Sequence, residues 1–374
     1  MQSLPQWLQG ILMGMGLLWL VTLLVVWGRF ERLPYRTPLL IALLLWPLIL
    51  IDDNIRAFGL TTELSVLSWC TLFIPTLQSW LLNLSVNRLV LETPPPSNWI
   101  FPGIIAVLAL AQLSLAILPA DTKLALLESP PSGGIENNWP IYCLYLLNGF
   151  TVLVLAVQMT ERLQEYRHCL SDQVVDVQFY KMPVAMGAFG GLVSLAFAVV
   201  IMVTLIGFDL VMLPHWPTII NLLYAAVFLV LFQTLMLPSR FSPAPFSYQQ
   251  LEQSQFSQEQ MRVALGRAEQ AIIRYRAYKK IGLRLRQLAD AAGVEPLLLA
   301  AATRTLLKRN FRAFIYHYRL EYAKKVLLRT DAKVSSVAKR LGFNSEKFLS
   351  GMFIKYVEKM GQRESLADDS KPSL

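Results

Sequence analysis

Residues 284–310 read RLRQLADAAGVEPLLLAAATRTLLKRN, and residues 333–356 read KVSSVAKRLGFNSEKFLSGMFIKY. In the first stretch a helix is expected to run to about Ala292. Gly293 then supplies the turn, and Pro296 sits early in the next helix, where its missing N–H costs little. Ala289 is small where two helices would cross, and Leu299 follows ten residues later on the facing helix. Ala338, Gly342 and Phe348 repeat that spacing 49 residues further on. One such match says little. Two, joined by a helical stretch, predict paired helix-turn-helix units, each freeing its second helix to project into a major groove.

The surrounding composition fits a two-part chain. Over residues 1–260 there are 10 Lys and Arg against 15 Asp and Glu, whereas residues 261–374 hold 24 against 10. The net charge of +9 therefore comes from the last third, while the whole chain is 55% hydrophobic and only 16% charged. That composition excludes a disordered protein and argues against one soluble domain, because an average soluble chain is about 25% charged. A basic tail behind a charge-poor front suits nucleic acid or an anionic lipid surface as partner. Lipid binding, however, needs no repeated Ala–Gly turn.

The front contains seven apolar runs: Leu8–Trp27, Leu33–Ile51, Leu64–Leu84, Trp99–Leu118, Ile141–Met159, Val184–Phe208 and Trp216–Leu237. Each approaches the roughly 20 residues that cross a hydrocarbon core. None shows a polar face, as a buried helix of a soluble protein would. The second, which contains Pro47, is the weakest. Trp7, Trp27, Tyr35, Trp99, Trp139, Tyr142 and Trp216 stand near run ends, where aromatic rings favour the headgroup layer. With the C-terminus inside, the inner loops carry Arg29, Arg32, Arg36, Arg88, Arg162, Arg167 and Lys181, and the outer ones only Arg56 and Lys123. Basic residues favour the cytoplasmic side, so the reading is a multi-pass protein of a bacterial inner membrane, N-terminus outside. The first run lacks a basic n-region and is too long for a cleavable signal. Gln78, Asn83, Gln112, Asn148, Gln158, Asn221 and Tyr224 fit helix–helix hydrogen bonds within the spans. Asp52, Asp53, Asn54 and Arg56, and likewise Asp209 and His215, read as polar loop ends rather than an outer sensing site.

The expected fold is all-α. A seven-helix membrane bundle over residues 1–237 leads to a Pro/Gln-rich linker at 238–260 and a connecting helix at 261–280. A DNA-binding domain at 281–365 and a disordered tail at 366–374 complete the chain. In the connecting helix Met261, Leu265, Ala268 and Ile272 form an a/d-like seam. It is short of three heptads, so packing on the next domain is favoured over a homodimer contact. Three cysteines, Cys70, Cys143 and Cys169, and three histidines, His168, His215 and His317, form no metal-ligand spacing. No GxGxxG, P-loop or GxSxG pattern occurs, so no cofactor and no catalytic activity are expected.

The stretch from Leu283 to Tyr356 resembles the DNA-binding domain of AraC-type transcription regulators. The pieces that carry the likeness are LADAAGVEPLLL, NFRAFIYHYRLEYAKKVLLRT and VSSVAKRLGFNSEKFLSGMF. Phe311, Ile315, Arg319, Leu320, Ala323 and Leu327–Leu328 stand where the family has F..yi...R...A...LL. The family's GxTPxxYR-like closing segment is replaced by EKMGQRES, and Leu349 stands where its Phe is common. The resemblance, together with the apolar front, is similar to membrane-bound members of that family. It implies a sensor domain for an unknown signal or partner membrane protein, coupled to promoter binding on double-stranded DNA. The candidate DNA contacts are Arg304, Lys308 and Arg309 in the first unit, and Lys339, Asn344, Ser345, Lys347 and Ser350 in the second. Gly293 and Gly342 are structural turns, and Arg319 is an anchor between units rather than a base reader. Lys324, Lys325 and Arg340 are solvated faces or phosphate contacts. The first recognition helix is unusually apolar and should discriminate less than the second. From another class, a membrane transporter or enzyme with a basic regulatory tail is the competing reading.

Overall fold

The computed structural model describes residues 5–29, 35–60, 63–92, 98–236, 242–330, 332–343, 347 and 349–354. Among these residues the regular structure is helical and no strand occurs. The chain divides into two compact units. The first comprises Met1–Glu165 and Met182–Pro243, the second Tyr166–Lys181 and Ala244–Leu374.

The first unit contains α1 (Gln6–Arg29), α2 (Arg36–Leu45), α3 (Ile51–Ala57), α4 (Ile74–Val90), α5 (Ile100–Ala111), α6 (Leu113–Ala116) and α7 (Ala120–Glu128). Most of α8 (Ile135–Gln173) follows, then α9 (Pro183–Gly207) and α10 (Trp216–Met236). Five segments are long and apolar enough to cross a membrane: Gln6–Trp27, Arg36–Ala57, Ile135–Gln173, Pro183–Gly207 and Trp216–Met236. A sixth arises if Ile100–Ala116 and Ala120–Glu128, bent by 105°, count as one. All seven sequence runs contain helix, but the third falls short. The α-helix there is α4, 17 residues long, preceded by a short 3-10 turn at Ser65–Leu67. Its expected first part turns instead, because Trp69 (φ 64) is buried, donating its backbone N–H to Asp52 (3.2 Å) and its Nε1–H to the Lys123 carbonyl (3.4 Å).

Leu17, Leu24, Trp27, Leu110, Ile117, Phe150 and Phe197 are each more than half exposed, giving these helices an apolar exterior compatible with lipid. Inside, polar groups pair between helices. Trp46 Nε1–H donates to the Ala225 carbonyl (2.9 Å), Gln78 to that of Ala42 (3.4 Å), and Thr76 to Asn148. One expectation changes. Asp52 and Asp53 are not loop ends, because the second run continues as helix through Ala57 and both carboxylates are buried. Asp53 accepts from Thr218 (2.5 Å) and Asn221 (3.3 Å) of α10.

The second unit holds α11 (Tyr248–Gln253), α12 (Gln258–Arg274), α13 (Leu285–Ala292), α14 (Pro296–Thr305), α15 (Phe311–Arg329) and α16 (Val334–Arg340). Part of the expected linker is therefore helix. Ser247 with Gln250, and Ser257 with Gln260, form capping boxes that start α11 and α12. The signal was present as two S-x-x-Q patterns. Three of the four seam residues of α12, Met261, Ala268 and Ile272, are buried with Ala264 and Ala271, while Leu265 is only partly buried; the helix packs on α13 and α14. A further tie is Tyr318 of α15, whose phenol is pushed up to about 12 by burial and by the Glu269 carboxylate of α12 that it hydrogen-bonds.

The expected loop 160–183 departs most from the sequence reading. Helix α8 continues to Gln173, and Tyr166–Lys181 belongs to the second unit. Val175 N–H donates to the Leu283 carbonyl (3.1 Å), Val174 pairs with Arg284 in an isolated antiparallel bridge, and Tyr180 Oη–H donates to the Gly282 carbonyl (3.1 Å). These bonds stitch the segment onto the chain that enters α13. Of the expected tail, residues 366–374 lie outside the described residues.

Candidate nucleic-acid interface

Helix α13 ends where the sequence places a turn. Gly293 takes a left-handed conformation (φ 62, ψ 41), and the Val294 N–H closes onto the Ala289 carbonyl (3.0 Å). Pro296 opens α14, as a helix start tolerates. Ala289 and Leu299 are both fully buried, so α13 and α14 approach through a small residue and a large one, as the spacing required. The second unit repeats the plan: α16 carries Ala338, 2% exposed, and Gly342 follows with φ 72. Residues 349–354 are helical, and Leu349 is buried within the same core. Phe348, the expected third member of the repeat, lies outside the described residues.

Helix α15 joins the two units, capped by Asn310, which accepts from the Ala313 N–H (2.9 Å). On its inner face Arg319 is completely buried. Its guanidinium forks onto Asp176, Nη1 to Oδ1 at 2.7 Å and Nη2 to Oδ2 at 3.1 Å. It also donates to the carbonyls of Tyr278 (2.8 Å) and Lys280 (2.9 Å). Asp176 accepts in addition from the Gly282 N–H (2.6 Å). Arg319 is thus a buried anchor, but its bonds run to Asp176 and the 278–280 segment rather than between the two helix-turn-helix units. Its carboxylate partner, from a segment 143 residues earlier, carries no local sequence signal.

The candidate contacts separate into groups. Lys339 and Arg340 of α16, Lys347, Ser350, and Lys324 and Lys325 of α15 are exposed. Asn344 and Ser345 lie outside the described residues. Lys308 is exposed but is a turn residue with φ 50, and Arg309 closes that turn by donating its N–H to the Thr303 carbonyl (3.2 Å). Arg304 is partly buried and forks onto Asp172, Nη2 to Oδ2 at 2.8 Å and Nε to Oδ1 at 3.4 Å. The rest of α14 is enclosed, with Leu299, Ala300, Ala301, Ala302 and Thr303 all buried. Its apolar sequence reflects this packing against α11, α12, α13 and α15.

Two turn-joined helix pairs, bridged by a helix that carries a buried arginine, are the geometry of a double helix-turn-helix. The helix-turn-helix domain family matches residues 288–360. The matched segment is similar to helix-turn-helix domains. It covers about a fifth of the chain and includes all of α14, α15 and α16. The match supports a DNA-binding regulator. No curated protein and no solved structure matches the chain.

Proposed function

We propose that the protein is a membrane-bound, sequence-specific transcription regulator. In this reading the apolar helices sit in a bacterial inner membrane, the helix-turn-helix domain lies in the cytoplasm, and the front unit responds to a signal of unknown identity. The observation that carries it is the match to a helix-turn-helix domain in a chain whose preceding helices have a largely apolar exterior. Chromatin immunoprecipitation of the intact protein, with membrane fractionation, tests it. Defined promoter peaks from a membrane-bound protein are expected, and a membrane-bound protein without peaks would sink the reading. The transporter or enzyme alternative draws support from the buried Asp52 and Asp53, since ionisable groups among apolar helices are costly and usually functional. It is the reading left standing in that second outcome.

In this reading the apolar part of α8 crosses the membrane between the loop near Ser132 and Lys181. Reporter fusions after Ser132 and after Lys181 should give opposite signals, outside for the first and inside for the second. Equal signals would mean that α8 does not cross.

DNA affinity should be carried largely by phosphate contacts from the exposed Lys324, Lys325, Lys339 and Arg340. Binding of the intact chain, held in lipid nanodiscs, should fall steeply with salt through counterion release. Lys339→Ala should weaken binding equally on all sequences and reduce the salt slope by about one ion. A change of sequence preference instead would identify Lys339 as a base reader. Lys347 and Ser350, on the second recognition helix, are assigned to base edges, with Asn344 and Ser345 preceding them.

A further inference from the structure

The first helix-turn-helix unit has a feature that DNA reading does not explain. Five consecutive residues of α14, Leu299 to Thr303, are buried. At 100° per residue they sweep the whole circumference of the helix. A helix that enters a major groove must present one bare face, and α14 presents none over this length. Its basic group, Arg304, holds Asp172 in a two-pronged pair, and the Asp172 side chain is only 7% exposed. The planar guanidinium fork fits a carboxylate and a phosphate by the same geometry, so Asp172 occupies the place a DNA phosphate would take.

The position of Asp172 is fixed by its surroundings. Four residues later Asp176 is locked onto Arg319 and the Gly282 N–H, and Val174 and Val175 are bonded to Arg284 and Leu283. The two acid–base pairs differ in exposure. Arg319 and Asp176 are both 0% exposed, whereas the Arg304 side chain is 34% exposed. The outer pair is the one water and ions can reach, and therefore the one that can open while the inner pair holds. Asp172 also lies in the last turn of α8, an unbroken helix that begins at Ile135 and contains the apolar run Ile141–Met159. A shift or rotation of that helix is transmitted to Asp172 through the backbone.

We infer that Asp172 is an autoinhibitory stand-in for DNA phosphate, which holds Arg304 until the end of α8 withdraws. This rests on the DNA-binding reading above. The test uses the intact chain in lipid nanodiscs and a fluorescent random-sequence DNA duplex. Asp172→Asn, which keeps the shape and removes the charge, should tighten binding about five-fold or more. Arg304→Ala alone should change little, because the group is already occupied. The double variant should return to wild-type affinity, since the gain depends on the released arginine. Unchanged or weaker binding by Asp172→Asn, or a gain that survives in the double variant, would overturn the inference and leave DNA binding intact. Absence of binding by every protein, wild type included, would remove the DNA-binding reading and this inference with it. A second measurement needs no variant. Amide exchange at residues 170–173 of the wild type should quicken when duplex is added, and unchanged or slower exchange there contradicts release.

Discussion

Replacing Arg319 by Ala is expected to destabilise the second unit by about 3–5 kcal/mol, the usual cost of leaving one member of a buried ion pair without its partner. The substitution strips Asp176 of two charge-assisted bonds while it stays buried, and frees the carbonyls of Tyr278 and Lys280. It also unties the 174–180 segment from α15. Amide exchange over residues 285–329 of the intact protein is the suitable measurement, because it reads the local opening free energy without unfolding the apolar helices. Arg319→Lys should recover only part of the loss, since a single ammonium cannot serve the carboxylate and both carbonyls in one plane. Wild-type protection in Arg319→Ala would show that the pair contributes nothing net.

The second large effect is expected at Gly342. Its φ of 72 lies in the left-handed region, where a β-branched side chain is strained. A Cβ there would also stand 3.3 Å from Ile281 Cγ1, 3.4 Å from Asp176 Oδ1 and 3.5 Å from Arg319 Nη1. Gly342→Val therefore combines backbone strain with crowding of the buried pair, and about 3 kcal/mol is expected. Gly293 is the control. Its φ is 62, yet a Cβ added there would meet nothing within 4 Å, so Gly293→Ala should cost only the backbone term of about 1–2 kcal/mol. Circular dichroism and exchange on the two variants would read the difference. An equal or smaller loss at Gly342 would mean that the pair yields easily to the added atoms.

The two glycine turns, the burial of Ala289 and Leu299 and the start of α14 at Pro296 were all legible in the sequence. They depend on backbone preferences and on spacing within a few turns of one helix, and the repeat at 49 residues doubled the signal. The capping serines of α11 and α12 were equally local, and were hidden only by the Gln-rich composition around them. The apolar runs were legible as helices because hydrophobic length is a property of the sequence itself. The exception is the stretch before α4, where Trp69 and Asp52 meet through a fold in the chain.

Other features were decided by tertiary structure. Arg304 looked like a DNA reader because an arginine on an apolar helix has no partner in its own neighbourhood. Its carboxylate is 132 residues away, at the end of a helix whose sequence reads as a span followed by a loop. Asp176 and Asp172 look like any loop acids until the strand-like pairing of Val174 with Arg284 brings them under α15 and α14. The sequence by itself determined that there are two helix-turn-helix units behind a set of apolar helices, since periodicity, glycine and charge are read along the chain. Only the tertiary structure decided which acids meet which arginines, and that the first recognition helix is covered, because a partner distant in sequence is chosen by packing and leaves no spacing to count.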